Sequence, residues 1–503
     1  MVRGIGSTLL AACATVIACA AVPASAAITL PLADTCLEPQ TPPQGVINVS
    51  PNVEHVGTVM GEAGALDAGG RLVGHYFYVT GSTHFSIYDV ADPLHPKLTS
   101  RVDFPCRFEN EDVTGNADLL VYSDFATSGD LYVYDVRNKR EPKLLSDTPD
   151  AGTHTMECVE DCRYLYGSYF RVGPKGPLSG GEAVDLADPA HPKVLGDWTA
   201  NDVLTSQKVH DVTEVSPGRV ITASAPIEYL DTTASRAKPK VLARSDTAAD
   251  KRFHTAIWPR QGEDRFMLAM FETNGTPNCG AGSGDFTVFD AANALNSGKF
   301  KPLHSFYLST GDFEDGNPPA NGLGCSPHWF NVRPSWKDGG VVAMGAYDHG
   351  TKFLRIDGSG QISEVGHFLA PGTNASGAYW ITCDVVYVVD YTRGLDVLRF
   401  KDDASACHGP LSQQPSSNQP VSSAATPRSC LSRRHFRIRL SRSARSAEVR
   451  VNGRRVRITR RGRRLTAPVD LRGRPRGTAT VRIRMTLRDG RTVMLTRRYR
   501  TCA

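Results

Sequence analysis

Along most of this chain apolar and polar residues alternate in short runs of strand length, and one such run keeps returning. It is clearest as SIYDVADPLHPKL, Ser86 to Leu98, and recurs as YVYDVRNKREPKLL from Tyr132, EAVDLADPAHPKVLG from Glu182 and EYLDTTASRAKPKVLA from Glu228. Each copy reads as a strand, a turn marked by Asp or Pro, and a second strand. Fainter copies begin at Thr287, Phe353 and Leu395. A period of roughly 45 to 60 residues belongs to blade or solenoid repeats rather than to one continuous core.

Two further apolar runs lie between copies, as in HTMECV from His154 and YLYGSY from Tyr164, so the unit holds four strands, A to D. The ends of the array complete one another. VEHVGTV, Val53 to Val59, resembles a fourth strand without the first three, whereas LDVLRF, Leu395 to Phe400, is a third strand with nothing after it. Pairing them would close a ring and remove its exposed edges. Counting third strands gives seven units, with six or eight left open by the degenerate fifth and sixth copies.

The residues that carry this repeat, YDVADPLHPKL, VDLADPAHPKVLG and HDVTEVSPGRVITAS from His210, resemble the LVIVD-repeat β-propellers of bacteria over about Val53 to Asp403. The resemblance implies an all-β, seven-bladed propeller on a secreted or surface-exposed protein, and assigns no activity. Long inserted loops and the tail depart from the family pattern.

Composition and charge add compartment and a second domain. Arg3, the apolar run Ser7 to Val22 and Ala24-Ser25-Ala26 form a secretory leader, residues 1–26. VIAC, Val16 to Cys19, also resembles a lipoprotein box, and no later run reaches a membrane span. Residues 27–52 are an unpatterned extension and 53–403 the propeller; 404–429 form a Ser-, Pro- and Gln-rich linker, and 430–503 a small basic β-sandwich whose arginines alternate with apolar residues. Cys430 to Ala503 holds 24 Arg, no Lys and three acids, a charge of +21, so the rest of a chain that totals +5 carries −16. The tail therefore suits an anionic cell-envelope polymer, or is a solvated basic face. Once the leader is gone an even number of cysteines remains in an oxidising compartment, which favours disulfides. Cys430 and Cys502 bracket the tail and are expected to pair, Cys158 and Cys162 flank a hairpin turn and could close on each other, and a bridge between Cys279 and Cys325 would brace two loops. Spacing alone does not connect Cys36, Cys106, Cys279, Cys325, Cys383 and Cys407.

Candidate chemistry follows from register. His154, His210, His254 and His328 open the first strand of successive repeats, and one alignment sets Glu109 opposite His154 in the preceding one. First strands are innermost in a propeller, so these groups would meet at the channel mouth and could hold a transition metal such as Zn, Cu, Fe or Ni. The competing reading is a structural histidine copied with the repeat, bonded to a neighbouring blade. Asp124, Glu272, Asp348, His349 and Asp390 end second strands and fall on the same face, with the long loops from Arg171, Thr273 and Ser309. Glu111 is expected to be a solvated carboxylate beside Glu109, and Trp258, Trp329 and Trp380 to pack between blades. No phosphate-binding loop, Gly-x-Ser-x-Gly elbow or His-Glu-x-x-His motif occurs, so nucleophilic hydrolysis has no support. The expectation is a monomeric binding or scaffold module that takes an extracellular ligand on the looped face, with a metal-dependent redox or hydrolytic enzyme as the alternative.

Overall fold

The computed structural model describes residues 45–59, 67–105, 111–124, 129–168, 181–198, 209–247, 251, 253–273, 279–280, 283–309, 325–402, 435–439, 444–451, 453–461, 464–471, 477–487 and 492–501. The leader, Glu109, the linker, most of the long loops, and Cys36, Cys106, Cys407, Cys430 and Cys502 lie outside the described residues. The chain divides into two compact units, 1–421 and 422–503.

The larger unit is almost wholly β, in successive antiparallel sheets of propeller-like arrangement. Asp67–Val73, Tyr76–Gly81, His84–Asp89 and Lys97–Asp103 pair in chain order, and the same four-strand order repeats from Thr114–Gly115, Met156–Val159, Asp211–Ser216, Phe253–Ile257 and Phe330–Val332. Two of these groups are joined by a short parallel pairing of Arg244 with Lys299 and Ser245 with Phe300. The last group, Ala375–Trp380, Val385–Asp390 and Gly394–Phe400, takes its fourth strand from Val53–Val59, with Val53 opposite Phe400 and Val59 opposite Leu395. Asn48–Val49 extends the preceding sheet by pairing with Phe368 and Leu369.

Local chemistry explains why the repeat looks as it does. In five of the sheets the third strand ends in an Asp that accepts a hydrogen bond from the backbone N–H two residues on: Asp89 from Ala91, Asp135 from Arg137, Asp185 from Ala187, Asp231 from Thr233 and Asp290 from Ala292. That closes an Asx turn and reverses the chain. Each fourth strand then meets the third with a register shift, as between Leu144 and Ser146, so the outer strand bends away at a bulge.

The cores lie between sheets. Tyr78, Phe85 and Ile87 pack on Leu120, Tyr122 and Tyr134 of the next sheet, and Phe266, Phe286 and Val288 on Phe330, Val342 and Met344. The last sheet closes on the first through Tyr379, Tyr387 and Val389 against Leu72, Phe77 and Val79. Trp258 and Trp380 are buried in such seams. Sheet edges face one another at the centre: Met156–Val159 lies between Thr114–Gly115 and Asp211–Ser216, and Ala375–Trp380 between Phe330–Val332 and Asp67–Val73.

The smaller unit is a two-sheet sandwich. Ala444–Val451 and Gly477–Leu487 pair in one sheet, His435–Arg439 and Arg464–Asp470 in the other. Val449, Val451, Val481 and Ile483 meet Leu465, Ala467 and Val469 in a common core, while Arg450, Arg482 and Arg484 point outward. Val451 faces Arg454 across a two-residue turn whose Gly453 has φ 85°, a conformation that glycine adopts without strain.

Candidate metal centre

The first-strand histidines are brought together. Ring centroids stand 4.8 Å apart for His154 and His210, 3.8 Å for His210 and His254, and 4.4 Å for His254 and His328. All four are buried. At their focus stands Glu111. Its Oε2 lies 3.4 Å from Nε2 of His154, 3.3 Å from Nε2 of His254 and 3.3 Å from Nε2 of His328.

That placement overturns the expectation that Glu111 is a solvated surface acid: it is 6 % exposed and sits inside the cluster. The reason is register. The first strand of its sheet is only Thr114–Gly115, so the segment before it runs past the rim and delivers Glu111 to the axis. Glu109, two residues earlier, lies outside the described residues.

Second-strand acids divide into three groups. Glu272 joins the cluster, with Oε2 3.8 Å from His254 Nε2 and Oε1 accepting from Tyr347 Oη at 2.5 Å. Asp390 does not: it accepts from Thr373 Oγ1 and from the N–H groups of Asn374, Thr392 and Arg393, a turn-closing role. Asp124 is buried at the end of its strand, its backbone N–H donating to the Asp130 carbonyl oxygen. His349 faces the Cys279–Cys325 disulfide instead, with Asp348 against the far side of its ring.

Second contacts aim the imidazoles. His328 Nδ1 lies 2.9 Å from the Ser376 carbonyl oxygen, which can only accept, so Nδ1 donates there and Nε2 is the ring atom turned toward Glu111. His254 Nδ1 lies 3.2 Å from Thr255 Oγ1, leaving Nε2 on the same side. Tyr347 stacks on His328 at 4.5 Å, and Trp329 packs edge-on to His254 at 5.0 Å. The buried atoms Glu111 Oε2, His254 Nε2 and His328 Nε2 have no well-aligned hydrogen bond among the described residues. Burying such atoms with no aligned hydrogen bond is costly, and a cation held between the carboxylate and the imidazoles would satisfy all three.

Electrostatics are correspondingly strong. Burial alone would raise Glu111, but His154 and His328 override it and hold the carboxyl well below its usual range. Burial pushes His254 down; for His328 burial acts the same way, but Glu111 and Glu272 outweigh it and raise the group. Beside the imidazoles runs an acidic layer. Burial, then Asp211 and Glu157, drives Asp112 well up, and burial with Glu157 pushes Asp211 to about 8. Arg71 Nη1 contacts Glu157 Oε2 at 3.0 Å and is the cation of that layer. The sequence offered Asp211 only as a hydrogen-bond partner for a structural histidine and did not single out Asp112; their shared burial beside Glu157 comes from the packing of separate sheets.

No family model and no curated protein matches the chain, so the LVIVD likeness rests on the repeat segments themselves. Among solved structures the chain is similar to U3-55K (TM-score 0.45, 8% identity, 72% of this chain and 100% of that one). It is similar also to the Neurospora crassa Pan2 WD40 domain (0.45, 7%, 71% and 98%) and to the N-terminal domain of Nup159 (0.42, 10%, 72% and 98%).

Proposed function

We propose that this chain is a secreted, seven-bladed propeller that holds a transition-metal ion at its axis, with His154, His210, His254, His328 and Glu111 as the ligand set. The observation that carries the reading is the meeting of three imidazole Nε2 atoms on one carboxylate oxygen at 3.3–3.4 Å, all buried. A histidine copied merely as scaffold would bond a neighbouring strand through both nitrogens; His328 does so through Nδ1 and turns Nε2 inward. An imidazole-rich set with one carboxylate suits Zn, Cu, Fe or Ni rather than Mg or Ca. Four imidazoles and a carboxylate exceed the four ligands of a tetrahedral ion, so one group is free to exchange for substrate or to carry a proton. The ion would supply a Lewis acid or a redox centre. Around it Glu272 and Tyr347 form a hydrogen-bonded pair beside His254 and His328, able to take up or deliver a proton there.

The test is metal content after purification without chelator and reloading with each ion in turn, followed by desalting. One retained ion per chain is expected. His254→Ala combined with His328→Ala should abolish retention, and Glu111→Gln should weaken it by about 10–100-fold or more. A folded wild-type chain that retains none of the four ions overturns the assignment.

The scaffold reading keeps one specific support, in the smaller unit. Arg455, Arg450 and Arg482 stand directly opposite one another across three adjacent strands. Like charges in register destabilise a sheet unless an anion bridges them, which favours attachment to an anionic envelope polymer.

A further inference from the structure

A second group of metal-ligating side chains lies outside the axial cluster. Cys279 and Cys325 are disulfide-bonded, and both sulfurs face one imidazole: His349 Nε2 lies 3.4 Å from Cys279 Sγ and 3.3 Å from Cys325 Sγ. On the other side of that ring, Nδ1 lies 3.0 Å from Asp348 Oδ1. A carboxylate accepts, so Nδ1 holds the proton and the Nε2 lone pair is aimed between the sulfurs. A carboxylate behind the imidazole is the orienting contact that histidine ligands of metals usually have. Cys325, His349 and Asp348 are buried, whereas Cys279 is only half-buried and gives a reductant access.

We propose that the Cys279–Cys325 disulfide is the oxidised, closed form of a Cys₂His metal site, opened by reduction and suited to Zn²⁺ or another thiophilic divalent ion. Around a tetrahedral ion with sulfur at about 2.3 Å and nitrogen at about 2.0 Å, neighbouring S and N ligands stand about 3.5 Å apart. Both S-to-N distances are already close to that value. Only the two sulfurs must separate, to about 3.8 Å.

The chemistry balances. A dithiol reductant passes two electrons and two protons to the disulfide, giving the Cys279 and Cys325 thiols and its own cyclic disulfide. The divalent ion then displaces both thiol protons to solvent and is held by two thiolates and the neutral His349 Nε2, with a fourth position open. The site is independent of the axial centre in its ligands, but one tight turn links them. Tyr347, stacked on His328, and His349 belong to the reversal in which Gly350 N–H bonds to Tyr347 O.

The test is Co²⁺ titration of the full chain, oxidised and after treatment with a dithiol, read by optical absorption and by metal content. A thiolate-to-cobalt charge-transfer band should appear in the reduced chain alone, together with one further equivalent of bound metal. Binding at the axial centre, made of nitrogen and oxygen ligands, gives no such band, so failure of either site is read separately. The band should vanish in Cys325→Ser and persist when Cys158 and Cys162 are both replaced by Ser. His349→Gln should weaken the second equivalent by at least tenfold while circular dichroism shows the fold retained. The proposal is overturned by a reduced chain that unfolds, by one that stays folded without the band, or by a band that survives Cys325→Ser.

Discussion

Glu111 and Glu228 show how differently burial treats two carboxyls in one molecule. Glu111 is surrounded by imidazoles and is held ionised. Glu228 is fully buried with only Arg244 Nε, 2.7 Å away, to offset desolvation, and is pushed up to about 7. Glu214 is likewise raised to about 7, chiefly by burial. The sign follows from linkage. Between the ordinary glutamate value near 4.5 and the folded value near 7, the unfolded chain has lost a proton that the native chain still holds, so stability falls as pH rises through that window. Glu228→Gln removes the titration and keeps an oxygen for Arg244. Chemical denaturation at pH 5 and at pH 7.5 should therefore show a smaller loss for the variant, by on the order of 2–3 kcal/mol. Equal losses would mean that Glu228 is already ionised at pH 5.

Among the strands, the closing one does the most with the least sequence. Val53–Val59 supplies Val53 to the seam that holds Leu398 and Phe400, and its His55 and Thr58 both bond Asp396. Arg393 completes that buried knot through Nε to Asp396 Oδ2 at 2.9 Å. Leu398→Ala should cost about 2–5 kcal/mol in denaturant unfolding, because a fully buried side chain packed from two sheets leaves a cavity that neither can fill. Deleting the chain through Val59 should do more: Gly394–Phe400 becomes an open edge, and gel filtration should show aggregation in place of a single species. A truncated chain that stays monomeric with unchanged unfolding would mean that the pairing contributes little. The same scale explains the paired arginines of the smaller unit, where alternation puts every second residue outward. Replacing Arg450, Arg455 and Arg482 by Ser in the full chain should weaken retention on dextran sulfate at low salt and flatten its dependence on salt. Unchanged retention would put the attachment elsewhere.

Over the whole molecule, function and stability use opposite parts of each sheet. Apolar side chains face the neighbouring sheets and form the seams, while the first strands turn polar groups toward the centre, where imidazoles and acids from many parts of the sequence share a small volume. A rigid ring can hold such groups against their mutual repulsion and desolvation because the seams fix every sheet on both sides.

Much of this was legible in the residues. Alternation and the Asp-Pro turn chemistry are local properties, so the strands, the Asx reversals and the pairing of Val53–Val59 with Gly394–Phe400 could be read from the chain. So could the equivalence of His154, His210, His254 and His328, because each occupies the same place in a copied unit. What the sequence could not supply was anything that depends on how far a segment reaches before its strand begins. Glu111 was mistaken for a surface acid because its sheet opens with a first strand of two residues. His349 was assigned to the rim without its sulfur partners, because Cys279 and Cys325 lie in inserted segments on either side of the repeat copy at Thr287, and those insertions follow no strand pattern that fixes where each sulfur returns. Periodicity is written in nearest neighbours along the chain; the meeting of side chains at an axis or across a loop is decided only when the sheets have packed.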